Sequence, residues 1–114
     1  MSEIAGSDIQ YLYTIIQVYF KVFDKKRLYI VYDLYNLPRY VSSKFDHYQQ
    51  SNNETETKLK QDLRIAAMRG NNSVTYLTFL FHNDIDKLCS VRIRPLMSPL
   101  GDVIGCVEYY EAFN

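Results

Sequence analysis

From Cys89 to Phe113 two β-rich runs flank a turn built from Ser98, Pro99, Gly101 and Asp102. Proline presets φ, glycine tolerates positive φ, and an aspartate side chain bonds nearby backbone. In the first run Cys89, Val91 and Ile93 alternate with Ser90, Arg92 and Arg94, the pattern of a strand with one buried and one wet face. The second run, Val103 to Phe113, is richer in apolar residues on both faces, which predicts cover on each side. With the turn at Ser98 to Gly101, Cys89 is expected opposite about Tyr109, and Cys106 opposite about Arg92.

Near the start of the chain, Ile9, Leu12, Ile15, Ile16, Tyr19, Phe20 and Phe23 recur at helical spacing behind a capping Ser7 or Asp8. Tyr11, Val18 and Val22 add a second apolar side. A helix apolar on two sides needs cover on two sides, so it can lie on a sheet and still offer a stripe to a partner helix. Thr14 to Phe23 also has the β-branched and aromatic content of a hairpin, but the helical spacing is preferred.

The middle of the chain reads in short segments. Asp24 to Arg27 turns, Leu28 to Asp33 alternates as a strand, Tyr35-Asn36-Leu37-Pro38 turns, and Arg39 to Ser42 is a second strand. Ser42 or Ser43 is a candidate cap for a short helix carrying Phe45 and Tyr48. Gln49 to Thr57 is almost wholly polar and predicts a mobile loop. Lys58 to Met68 resumes helical spacing through Leu59, Leu63, Ile65, Ala66 and Ala67, with Gly70 as the expected left-handed cap. Ser73 to His82 is a third strand, in which Leu77, Phe79 and Phe81 face away from Tyr76, Thr78 and Leu80. Asn83 to Lys87 turns it into the final hairpin. Strands grouped apart from helices predict an α+β fold with a five-stranded antiparallel sheet.

Composition narrows the class. A chain of 114 residues, 47% hydrophobic and 15% aromatic, can bury a real core as one domain. The aromatics are weighted to tyrosine, with 11 Tyr, 6 Phe and no Trp, which suits pocket walls and partner surfaces. Net charge is zero and the only tight basic cluster is Lys25-Lys26-Arg27, so nothing argues for direct nucleic-acid binding. No apolar run reaches membrane-spanning length, and Met1 to Asp8 lacks the pattern of a signal peptide. Two cysteines are too few for a disulfide framework, and a cytoplasmic location is the expectation.

This order of elements, with these turn residues, resembles a PAS domain over roughly Leu28 to Phe113. Pro95-Leu96 followed by Gly101-Asp102-Val103-Ile104-Gly105 is similar to that family's last hairpin. Asp33 fits the acidic residue ending the first strand, Tyr40-Val41-Ser42 and Phe45 the second strand and following helix, and Leu63 to Gly70 the last helix before strand three. Ser42 stands where many members have Asn, and Glu111-Ala112-Phe113 replaces the frequent closing Asp-Ile-Thr. The resemblance implies a five-stranded antiparallel sheet, a short helical segment on one face and an N-terminal helix on the other. Residues 1–27 would form that helix, a dimerisation element, and residues 28–114 the PAS-like domain.

Two cofactor sites known in the family are missing their residues. The Asn-Cys-Arg motif that holds flavin does not occur, and the helix that would carry a haem-ligating histidine, Lys58 to Met68, has none. Cys89 and Cys106 fall on strands as small buried hydrophobes, their expected partners making a mutual disulfide unfavourable. His47 and His82 read as surface or rim residues, and no pair has metal-ligand spacing. No cofactor and no metal are expected. Neither a phosphate-binding glycine loop nor a serine nucleophile elbow is present, so no catalytic residue is assigned and the chain is not read as an enzyme. Asp84 and Asp86 read as turn formers, whereas Glu108 and Glu111, on an otherwise apolar strand, point to a helix interface, a pocket rim or a solvent-facing edge.

A pocket in such a fold lies between the inner sheet face and the helical segment. Its candidate lining residues are Ile30, Tyr32, Phe45, Leu63, Ala67, Leu77, Phe79, Ile93 and Val107. Arg92 and Arg94, with Tyr76 and Tyr109, are a candidate surface for an anion or a partner. Candidate dimer-interface residues are Leu12, Ile16, Tyr19 and Phe23. The functional expectation is a sensory or regulatory module that binds a small ligand or protein partner and signals through the geometry of a homodimer. Its effector would be a kinase, a DNA-binding domain or a cyclase, following Asn114 or on a partner chain. The alternatives are a ligand-free dimerisation domain and a small cystatin-like α+β enzyme or carrier.

Overall fold

The computed structural model describes residues 6–23, 26–50, 53–83 and 85–112. Helix α1 runs Gly6–Ile15 and continues through a π turn, Ile16–Phe20, into a 3-10 turn, Lys21–Phe23. Strands β1 (Leu28–Asp33) and β2 (Pro38–Val41) form a hairpin, followed by a 3-10 turn at Ser43–His47 and a two-residue strand β3, Gln49–Gln50. Helix α2 spans Glu54–Gly70, and β4 (Val74–His82), β5 (Ile85–Met97) and β6 (Val103–Ala112) complete the chain. The sheet is antiparallel in the order β2-β1-β6-β5-β4-β3. It has six strands rather than the expected five, the extra one being β3.

Strand β6 lies between β1 and β5, which explains its apolar character on both faces. On the inner face Leu28, Ile30, Tyr32, Cys89, Val91, Ile93, Cys106 and Tyr110 pack with Phe45, Ala67 and Met68. On the outer face Tyr29, Val31, Ile104 and Val107 pack beneath Leu12, Ile16 and Phe20 of the N-terminal helix. Four residues at 3.6 per turn drift by roughly 40° around a helix. The wider π turn between Ile16 and Phe20 absorbs that drift, so all three residues stay aimed at the sheet. The hydroxyl of buried Tyr29 donates to the Phe20 carbonyl and fixes the end of this segment to β1.

The β1–β2 turn is organised by Asp33, which is buried at the end of β1. Its carboxylate accepts from the Tyr35 N–H at 2.8 Å, the Leu37 N–H at 3.1 Å and Arg39 Nε at 2.6 Å, while Asn36 takes a left-handed φ of 64°. Asp33→Ala should lose roughly 1.5–3 kcal/mol in urea denaturation, because hydrogen bonds to a charged acceptor disappear together. Asp33→Asn keeps one oxygen acceptor and should recover a good part of the loss; equal losses for both variants would refute this account. At the open end of the hairpin, away from this corner, Ser42 continues the β1–β2 ladder, its Oγ accepting from the Tyr29 N–H at 3.1 Å and its N–H donating to the Tyr29 carbonyl at 3.0 Å.

Four sequence expectations need correction. The polar stretch expected as a loop from Gln49 to Thr57 contains β3, paired to Phe81 and Leu80, and the first turn of α2. Asn53 caps α2 by accepting from the Glu56 N–H at 3.0 Å, so the helix starts four residues earlier than Lys58 and has 17 residues, not a short segment. Its left-handed terminator is Asn71 (φ 50°) rather than Gly70, which remains helical. In the last hairpin Cys89 pairs with Ala112 and Cys106 with Pro95, because the chain reverses across Ser98–Asp102 and a register shift follows between Leu96 and Met97. Both thiols are free and buried. Phe113, the expected end of the last strand, lies outside the described residues, as do Asp84 and the side chain of His47.

Candidate functional site

The inner face of the sheet holds a buried charge. Glu108 of β6 is 0% exposed, on the same strand face as Cys106 and Tyr110. A carboxylate there requires a cation and further donors. Arg64 of α2 supplies the cation, its Nη1 lying 2.9 Å from Glu108 Oε2. The guanidinium stacks over the Tyr32 ring, 3.9 Å from its centroid, and its Nε donates to Asn36 Oδ1. Tyr110 donates to Glu108 Oε1 at 3.1 Å, and the Tyr76 hydroxyl stands 3.5 Å from Oε2. Among the described residues no buried side-chain polar atom is left without a partner.

The cluster's electrostatics follow from burial. Burial is the largest single influence and disfavours the Arg64 charge, but the Glu108 carboxylate together with Tyr32 and Cys106 outweighs it, so the guanidinium holds its proton more firmly than usual. Burial, then the Glu108 charge, pushes the phenols of Tyr32, Tyr76 and Tyr110 well above their ordinary range. The same two causes push the Cys106 thiol up to about 12. Cys106 is thus a protonated core residue rather than a reactive thiolate.

Helix α2 is positioned for this pairing by its own polar inward stripe. Lys60, Arg64, Ala67 and Met68 are its buried residues, at helical spacing. Lys60 pairs with Glu56 at 3.4 Å, and Glu56 accepts from the Thr78 hydroxyl of β4. Sequence reading passed over Arg64, whose neighbours Leu63 and Ile65 carried the apolar pattern. The available signal was Glu108: an acid on a strand covered on both faces implies a cation on the covering helix.

Two open clefts adjoin the cluster. One, of about 490 Å³, is lined by Val41, Phe45, Asp46, Tyr48, Gln49 and Gln50. The other, of about 240 Å³, is lined by Leu34, Tyr35, Asn36, Ile65, Met68 and Arg69. Gln50 Oε1 lies 3.4 Å from the Tyr110 hydroxyl and Asn36 bonds Arg64, so each cleft touches one end of the buried network.

Of the expected pocket residues, Ile30, Tyr32, Phe45, Ala67 and Ile93 meet in the inner core, with Leu63 packed against it. Leu77 and Phe79 do not join them: both are exposed, on the outer face of β4. Val107 is buried, but under α1 on the outer face. Alternation separated the two faces of each strand correctly without marking which is inner, because β4 and β6 carry apolar residues on both. Tyr76 faces the Glu108 cluster, away from Arg92, whereas Tyr109 sits beside Arg92 on the outer face. Of the expected interface residues, Leu12 and Ile16 are taken up by the chain's own sheet and Tyr19 is exposed, while the Phe23 side chain lies outside the described residues. The helix instead exposes Tyr11, Val18, Tyr19 and Val22.

Among the described residues no group of three histidine, cysteine or acidic side chains is placed to hold a metal ion, and no helix is long and apolar enough to cross a membrane. No protein-family profile matches the chain, and no curated protein matches it. Solved structures do. Phage VqmA in complex with DPO superposes with a TM-score of 0.71 at 15% identity, over 95% of this chain and 55% of that one. The Vibrio cholerae VqmA dimer, solved without its target DNA and described among LuxR-type receptors, gives 0.67 at 11% identity, over 98% and 52%. A PAS domain from Colwellia psychrerythraea gives 0.62 at 15% identity, over 87% and 97%. The chain spans about half the length of the VqmA structures and nearly all of the isolated PAS domain. The sheet order, the helix-covered faces and these superpositions agree that the chain has a PAS-like fold.

Proposed function

We propose that the chain is a sensory or regulatory PAS-type module, without catalytic activity or resident cofactor, that works in the cytoplasm as a homodimer. One observation carries the reading: the Arg64–Glu108 pair ties the inner-face helix α2 to β6, the last strand of the sheet. A small ligand or protein partner that disturbs α2 therefore acts on the strand whose outer face supports the N-terminal helix. Two exposed apolar surfaces suit a second copy: Val18, Tyr19 and Val22 on the helix, and Leu77, Phe79 and Leu88 on the outer face of β4 and β5. The effector is a kinase, cyclase or DNA-binding unit on the same or another chain. With net charge zero this module itself takes no direct part in binding nucleic acid or membrane.

A ligand-free dimerisation domain is the second reading, favoured by the mutual satisfaction of the buried polar groups. Native mass spectrometry with an absorbance spectrum separates the two. The sensory reading expects a dimer that carries or accepts a small mass, and a shift to monomer in Phe79→Glu. A dimer that accepts no ligand selects the second reading. A monomer at every attainable concentration refutes the homodimer common to both, and a visible chromophore refutes the absence of a cofactor.

A further inference from the structure

The network of the inner face does not stop at Glu108. It runs from Gln50 through Tyr110, Glu108 and Arg64 to Asn36, and its two ends line different clefts. The link at Gln50 is the adaptable one. Tyr110 has a single phenolic proton, and the charged carboxylate at 3.1 Å takes it in preference to Gln50 at 3.4 Å. Turning the Gln50 amide over would let it donate to the same phenolic oxygen. A molecule that engages the Gln50 amide therefore alters what Tyr110 receives, and Tyr110 alters what Glu108 receives.

The two clefts differ in what they can hold. Small-molecule sites run from roughly 300 to 1,000 Å³. The cleft at Gln50, about 490 Å³, falls in that range and the cleft at Asn36, about 240 Å³, falls below it. Phe45 and Tyr48 give the larger cleft aromatic walls, and Gln49 and Gln50 give it paired amide donors and acceptors. Asp46 adds an exposed negative charge, and Lys87 already sits 5.8 Å from the centroid of the Tyr48 ring. The two opposite charges offset one another, so neither an anion nor a cation gains much over a neutral molecule.

Resting on the small-ligand sensor reading, we propose that the cleft at Phe45, Tyr48 and Gln50 is the binding site for a small neutral aromatic carboxamide or lactam. Its occupancy is transmitted through Gln50, Tyr110, Glu108 and Arg64 to the Asn36 turn.

The test is an NMR titration of the full isotope-labelled chain with benzamide, benzoate and benzylamine. Benzamide should give saturable shifts in residues 45–50, accompanied by Glu108, Arg64 and Asn36, with benzoate at least tenfold weaker. Gln50→Leu should weaken benzamide roughly three- to tenfold, as loss of one hydrogen bond does, and abolish the shifts at Arg64 and Asn36. Asp46→Asn should raise benzoate affinity toward that of benzamide. Saturable shifts confined to Ile30, Ile93 and Leu63 would overturn the cleft while retaining a small-ligand sensor. Benzoate or benzylamine binding as well as benzamide would overturn the ligand class. No saturable shift at residues 45–50 with any probe, or an unchanged response in Gln50→Leu, would overturn the proposal outright.

Discussion

Replacing Arg64 by methionine should destabilise the fold by about 3–5 kcal/mol, because it leaves the Glu108 carboxylate buried without its cation. In a domain of this size that corresponds to a fall of about 15 °C or more in Tm. Methionine fills much of the volume of the arginine stem, so the loss reports on charge more than on a void. Glu108→Leu should be similarly damaging, since it strands a guanidinium that is largely enclosed by Tyr32 and the sheet. The double variant Arg64→Met with Glu108→Leu should be more stable than either single one. Buried pairs are often replaceable by apolar residues of similar volume, and here Tyr110 can turn its hydroxyl to Gln50. Urea denaturation of the four proteins completes the cycle. A loss below about 1 kcal/mol for the single variants, or a double variant no better than both, would remove the pair as the tie between α2 and β6.

The second large effect is alkaline lability. Cys106, Tyr32, Tyr76 and Tyr110 all hold their protons more tightly in the folded chain, through burial first and the Glu108 charge second. Below pH 9 these groups are protonated in both the folded and unfolded states and leave stability unchanged. Above pH 9 the unfolded chain releases the Cys106 proton while the folded chain keeps it until about pH 12. Above pH 10 the three phenols behave in the same way. The unfolded state then binds fewer protons, so stability falls with rising pH, by about 1.4 kcal/mol per pH unit for each group. Urea midpoints should be level from pH 7 to 9, decline gently to pH 10 and steeply beyond it. Cys106→Ala should shrink the gentle phase and leave the steep one intact; the remainder belongs to Cys89, whose thiol is also held above its usual range by burial. A constant midpoint through pH 11 would show that the phenols are not enclosed as described.

Much of the architecture was legible in local patterns. The alternation of Leu28 to Asp33 and of Cys89 to Arg94, the turn at Ser98 to Asp102 and the two-sided run of β6 each reflect a period-two backbone whose side chains must divide between core and water. The helical spacing of Leu12, Ile16 and Phe20 identified the residues that meet the sheet, although it did not foresee the π turn that keeps them in line. At Gln49 to Thr57 polarity misled. Asn53 with Glu56 three residues on is a helix start, and a two-residue strand needs no apolar residue when its role is to pair with β4.

The candidate site was legible only in part. Glu108 stood out as an acid in an apolar strand, and the inner core residues Ile30, Tyr32, Phe45, Ala67 and Ile93 were identifiable from pattern and resemblance. The sequence by itself determined five of the six strands, the two helices and their order, because these depend on residues near one another in the chain; β3 left no such trace. Only the tertiary structure decided which face is inner, that Arg64 meets Glu108 across 44 residues, and that the β5–β6 register sets Cys106 against Pro95. The physical reason is that a buried charge is satisfied by whichever cation the packing brings to it, and packing joins residues whose separation in sequence leaves no local trace.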